Sequence, residues 1–164
     1  MQITVSASTV PSSKSLAKDL LSSSYAKKAG FTKVAEKATT LKTGHTSCPL
    51  DAEEAFENAS AKLTLDSEVV LCSTSQGAAT ILSGARSATS TTSASPPKQL
   101  GSSAIERSSP GSIYQIYWLR GQTVELVEIA SDLPAGGARS HRAITSVEQR
   151  VLASAALEQD RLPG

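Results

Sequence analysis

Residues 72–78 hold the densest grouping of reactive side chains in the chain: Cys72, Ser73, Thr74 and Ser75, then Gln76, Gly77 and Ala78, directly after the apolar run Val69-Val70-Leu71. Hydroxyl residues and a glycine at the start of a helix offer free backbone N–H groups and side-chain donors to an anion, the arrangement on which phosphate sites rely. Cys72, Ser73, Thr74, Ser75 and Gly77 are therefore the candidate anion-binding residues. No Lys follows Gly77, so the segment is not a Walker A loop, and its glycine spacing is not the dinucleotide fingerprint. No Arg follows Cys72 at the spacing of a phosphate-loop phosphatase. The plainer reading is a strand-to-helix turn.

Cys72 is also a candidate nucleophile, with His45 or His141 as its base once folding brings them together. A cysteine ending an apolar strand is more commonly a small buried hydrophobe. His45, Cys48, Cys72 and His141 have the right types for zinc, but only His45 and Cys48 stand at ligand-like spacing, and zinc signatures come in close pairs. The expectation is thus no catalytic residue, no metal and no cofactor. Arg139, His141 and Arg142, after the Ala135-Gly136-Gly137 break, form a basic cluster suited to an acidic partner.

Placing these groups requires elements. Ile3 and Val5 alternate with Thr4 and Ser6 as a short strand that Pro11 closes. Ser12 or Ser13 then caps a helix on Leu16, Leu20, Leu21 and Tyr25 that ends at Gly30. Phe31, Val34, Ala38 and Leu41 continue the helical period to Gly44. Asp51 with Glu54 opens a third helix, its stripe formed by Ala52, Ala55, Phe56, Ala59 and Leu63. Its Glu53, Glu54 and Glu57 fall on the solvated side. Glu68 to Cys72 reads as a buried strand, and Gly77 to Leu82 as a short helix or turn that dissolves into the linker.

From Ala88 to Ser112 only Leu100 and Ile105 are large and apolar. Such a stretch cannot bury enough surface to offset about 1–2 kcal/mol of ordering cost per residue. It reads as a mobile linker in which Ser95-Pro96 and Ser109-Pro110 could accept phosphate. Beyond it, Ile113–Leu119 and Thr123–Ile129 flank Arg120-Gly121-Gln122 as a β-hairpin. On its second strand Val124 and Leu126 share one face, Val127 and Ile129 the other, so both faces need cover. Thr145 and Glu148 make a capping box for a last helix ending near Arg161.

The resulting order, β-α-α-α-β-α, linker, β-β-α, is an α/β fold of the α+β kind. It has a small mixed sheet of about four short strands packed by four to five helices, with a long low-complexity loop. Three parts follow: a helix-rich part at 1–86, a Ser/Thr/Pro-rich linker at 87–112, and a hairpin plus helix at 113–164 packing on the first part.

The 164 residues carry a net charge of +1, with aromatics at only 4% and Ser plus Thr about a quarter of the chain. That near-neutrality hides segregation. Lys14, Lys18, Lys27, Lys28, Lys33, Lys37 and Lys42 stand against Asp19 and Glu36, whereas Asp51, Glu53, Glu54, Glu57, Asp66 and Glu68 stand against Lys62 alone. A bipolar surface suits association with another protein, or with a second copy. No aromatic or Arg cluster interleaves with the lysines, which disfavours nucleic acid. No apolar run approaches a membrane span. Two cysteines make no disulfide framework, and no secretory signal is visible, so the expected compartment is the cytoplasm or a host cell reached without a cleavable signal.

The function expected from these features is a non-catalytic protein-interaction domain of the accessory, effector or immunity type. Lys27, Lys28, Lys33, Lys37, Arg139 and Arg142 would meet the partner, together with the hairpin edge. The alternative is a small phosphate- or nucleotide-binding protein or enzyme using the Cys72 to Gly77 loop.

Overall fold

The computed structural model describes residues 16–87, 95–109, 112–131 and 142–162. A 3-10 turn at Ala17–Asp19 precedes α1 (Ser23–Lys28), β1 (Lys33–Lys42), β2 (Leu50–Asn58), β3 (Leu63–Leu71) and α2 (Ser75–Ser87). A second 3-10 turn at Lys98–Leu100 leads to β4 (Ile105–Ser109), β5 (Ile113–Arg120), β6 (Thr123–Ala130) and α3 (Ser146–Asp160). The strands form one sheet, in the order β1-β2-β3-β6-β5-β4. Every neighbouring pair is antiparallel.

This overturns the expected fold class. The sheet has six strands rather than about four, it is antiparallel rather than mixed, and the described residues contain three α-helices rather than four to five. The largest departure is β2. Its Ala and Glu residues favour a helix locally, but Leu50–Asn58 pairs residue for residue with Leu71–Leu63 on one side and with β1 on the other. Tertiary pairing decides here against local preference. The turn that makes pairing possible lies where the helix was expected to continue. Asn58 Oδ1 accepts hydrogen bonds from Ala61 N–H at 3.0 Å and Ser60 Oγ at 2.9 Å, and Lys62 takes a φ of +54°. An Asx-type turn of this kind reverses the chain into β3.

The expected second helix at Phe31–Leu41 is likewise a strand, the sheet-edge β1, whose pairing with β2 is irregular between Val34 and Thr39. The first expected helix shrinks to the 3-10 turn and α1, capped by Ser22 Oγ, which accepts from Tyr25 N–H at 3.2 Å. Its apolar residues Leu16, Leu20 and Leu21 are nonetheless buried. The expected strand at Ile3–Val5 lies outside the described residues. Within the expected linker, Leu100 is buried and Ile105 opens β4, which pairs with β5. Tyr114 Oη donates to Glu106 Oε2 across that pair at 2.7 Å.

The hairpin and the last helix form where the sequence places them, and the short helix or turn expected from Gly77 is the longer α2, of 13 residues. Gly121, at φ +62°, supplies the left-handed residue of the β5–β6 turn, and both halves of the Thr145/Glu148 capping box are made. Since β5 and β6 are interior strands, the hairpin offers no free edge to a partner; the sheet's edges are β1 and β4.

Strand alternation divides the core between the two faces. On one face Phe56, Leu65, Tyr114, Ile116, Trp118, Val127 and Ile129 pack against Leu21 and Ala26 and against Leu152, Ala155 and Ala156 of α3. On the other, Ala78 and Ile81 of α2 pack on Val124, Val70, Tyr117 and Leu119. Cys48 and Cys72 are joined by a disulfide at the end of the β2–β3 hairpin.

Candidate functional site

Helix α2 lies over β5 and β6 and leaves part of its sheet face uncovered. There the pleat presents Asp51, Glu53 and Glu57 from β2, Asp66 and Glu68 from β3, and Glu128 from β6. Register aligns them: Glu53 is opposite Glu68, and Asp66 is opposite Glu128. Of these, Glu53, Asp66, Glu68 and Glu128, with Glu36 of β1, Glu54, Ala55, Ser67 and Leu126, line a cleft of about 200 Å³, and Asp51 and Glu57 lie outside it on the same face. No Lys or Arg lines it. Lys33 neutralises Glu57 at the rim, with Nζ 2.8 Å from Oε2.

Like charges placed directly across strands repel and destabilise a sheet. Burial first, and that repulsion second at Glu53, Asp66 and Glu68, push the cleft carboxyls upward. Burial, followed by the fields of Glu128, Glu53, Glu36 and Glu68, raises the Asp66 carboxyl to about 7. Burial, followed by Asp51, Glu53 and Glu128, raises Glu68 to about 7. Glu53 is raised by burial and by Glu36 and Asp51. Burial raises Glu128 too, against the opposing effects of a hydrogen bond from Gln115 and the charge of Arg107. Arg107 sits on β4 beyond the cleft, its guanidinium 5.7 Å from the centre of the Tyr117 ring. A cationic group entering the cleft would replace mutual repulsion with attraction at several carboxylates together.

On the α3 face a second set of polar groups is fully engaged within the fold. Leu21 N–H donates to Ser67 Oγ at 3.0 Å, and Ser67 Oγ donates to Gln159 Oε1 at 2.7 Å. Gln159 Nε2 donates to Glu125 Oε2 at 2.8 Å and to Glu68 O at 3.2 Å. Burial raises Glu125 to about 7, opposed by the hydrogen bond from Gln159 and the charge of Arg120. This network fastens α3 to the middle of the sheet.

The sequence-derived candidates fall in several places. Cys72 is not a free nucleophile, because its sulfur is bonded to Cys48; the same bond removes both cysteines from a zinc set. Among the described residues no group of three His, Cys, Asp or Glu side chains is arranged to hold a metal. Thr74 caps α2, its Oγ1 accepting from Gly77 N–H at 3.0 Å, and Ser73 N–H donates to Ser47 O at 2.8 Å. A Cβ at Gly77 would stand 3.4 Å from Ser47 O and from Thr74 Oγ1, in van der Waals contact with the cap rather than open to a ligand. Ser75 begins α2.

Lys27 and Lys28 are exposed in the last turn of α1, while Lys33 and Lys37 lie along the β1 edge. Arg142 forms an ion pair with Glu148 and donates to Ala61 O at 3.4 Å, tying the start of α3 to the β2–β3 turn. Arg139 and His141 lie outside the described residues. The carboxylate row was missed because a helical reading puts Glu53, Glu54 and Glu57 on a solvated side. A period-two reading of Asp51, Glu53 and Glu57, continued by Thr64, Asp66 and Glu68, would have found it.

Fold and cleft together define an antiparallel sheet with helices on both faces and an anionic concavity on one of them. No known family matches the chain, and no curated protein matches it. The fold is similar to that of the extracellular domain of PknH from Mycobacterium tuberculosis, with a TM-score of 0.50 and 11% identity over 92% of this chain and 97% of that one. At that identity the likeness is one of fold alone. No helix among the described residues is long and apolar enough to cross a membrane.

Proposed function

We propose that this chain is a non-catalytic protein-interaction domain that works in an oxidising compartment and receives a lysine- or arginine-bearing segment of its partner in the carboxylate cleft. The observation that carries this reading is the cleft lining, in which Glu36, Glu53, Asp66, Glu68 and Glu128 converge from four strands with no cation among them. Keeping such repulsion inside a sheet costs stability, and a binding role accounts for the cost. The Cys48–Cys72 disulfide supports an oxidising compartment rather than the cytoplasm expected from the sequence. The PknH domain of similar fold is itself described as extracellular.

Calorimetric titration with a lysine-rich octapeptide at low salt tests the proposal. Binding should strengthen as pH rises through 7, because the ligand favours the ionised carboxylates and expels their protons. Replacing Asp66 with Asn and Glu68 with Gln should weaken it by about tenfold or more, which is about 1.4 kcal/mol or more. Equal binding by the double variant, or no binding by the parent protein, rejects the cleft as the site.

A further inference from the structure

On the opposite sheet face α1 and α3 border an open groove of about 400 Å³. Tyr25, Lys28 and Ala29 line it from one side, and Val147, Arg150, Val151 and Ser154 from the other. The α3 residues are spaced i, i+3, i+4 and i+7, a single stripe along a helix. Val147 is 58% exposed, and it and Val34 are the large apolar side chains left exposed among the described residues. Ala29 and Ser154 are small, so an approaching backbone meets little obstruction. The charged groups in the lining are both cations, and neither Lys28 nor Arg150 has an ion-pair partner among the described residues. Lys27 adds a third cation beside them.

An apolar stripe flanked by cations is the complement of an amphipathic helix with an aliphatic face and acidic flanks. We infer that this groove docks such a helix from a second protein, at a site separate from the carboxylate cleft. A second copy of the chain is a poor occupant. A two-fold contact through this stripe would set two cations of each copy, Lys28 and Arg150, against the single acid Glu158 of the other. The chain's own helices also carry too little of the needed charge: α1 carries only Lys27 and Lys28, α2 carries only Arg86, and in α3 Glu148 and Asp160 are held by Arg142 and Trp118, which leaves Glu158, near Tyr25, as a single acid.

Nuclear magnetic resonance titration of the full chain with a designed helical peptide tests the inference. The peptide carries Leu at i, i+3, i+4 and i+7 between Glu residues, and its control has every Glu replaced by Lys. The acidic peptide should shift the amides of residues 25–29 and 147–154. The joint substitution Lys28→Glu and Arg150→Glu, at two exposed positions, should weaken the acidic peptide at least tenfold and strengthen the lysine control. Val147→Asp should weaken the acidic peptide too, with melting temperature unchanged. Asp66→Asn should leave this titration unaffected, which separates it from the cleft. Equal binding of both peptides, shifts centred on β3 instead, or a dimer in sedimentation that Arg150→Glu dissolves would each overturn the inference.

Discussion

Gln159 illustrates how much one residue can hold. Its amide accepts from Ser67 Oγ, donates to the Glu125 carboxylate and donates to the Glu68 carbonyl, all in the interior. Replacing it with Leu keeps much of the volume but strands the Ser67 hydroxyl and removes the Glu125 carboxylate's amide donor. An unsatisfied buried polar group costs about 1–3 kcal/mol, and more when charged. Gln159→Leu should therefore lower unfolding free energy by about 2–4 kcal/mol in urea denaturation. A loss below about 0.5 kcal/mol would mean that water or Arg120 replaces the amide without cost. Trp118, whose Nε1 donates to Asp160 Oδ1 at 3.0 Å, fixes the neighbouring turn of the same helix.

The β2–β3 hairpin concentrates the tension between local and tertiary preferences. Its polar turn, its disulfide and its pairing on both sides together hold Asp51–Asn58 extended. Residues Cys48 and Cys72 lie 24 positions apart. A closed loop of that size removes chain entropy from the unfolded state worth about 3–4 kcal/mol. Replacing both cysteines with serine should lower the midpoint of chemical unfolding accordingly, and reduction should do the same to the parent protein. If reduction left that midpoint in place, the bond would not be formed in solution.

Elements whose code is short-range were legible. The β5–β6 hairpin has its glycine, α3 its capping box, and α2 its position after an apolar strand. Strands β1 and β2 were not, since Ala, Glu and Lys at helical spacing satisfy a helix pattern, and only partners distant in sequence make the extended form better. The candidate site failed for the same reason: Glu53, read on the solvated side of a helix, joins Glu36, Asp66, Glu68 and Glu128 in a cleft once alternate residues share a sheet face. Leu100 and Ile105 show the converse. Two apolar residues in a polar stretch are enough to dock a turn and start an edge strand.

For the whole molecule, the raised carboxyls set how stability depends on pH. Asp66, Glu68 and Glu125 each hold a proton up to about 7 in the folded state, whereas in the unfolded chain they release it near pH 4. Between those values the folded state binds more protons at these groups, so their contribution to stability is full below about pH 4 and is lost as pH rises through 7. Melting temperature should fall across that window and level off above it. Asp66→Asn with Glu68→Gln should flatten the decline and raise the melting temperature at pH 8 by several degrees, at about 2–4 °C per kcal/mol. A double variant whose curve runs parallel to the parent's would show that these two groups titrate as ordinary carboxylates.

The pairing of β3 with β6 also sets a timetable for a chain made from its N-terminus. The β1–β2–β3 meander and both cysteines leave the ribosome seconds before Thr123, at about 5–20 residues per second. Until β6 arrives, the backbone of β3 is an open edge, the kind of surface that recruits foreign strands. Asp66 and Glu68 stand on that edge, and there, in water, each bears a full negative charge at neutral pH. The nascent edge is thus guarded against mispairing by the same two side chains that later strain the finished sheet.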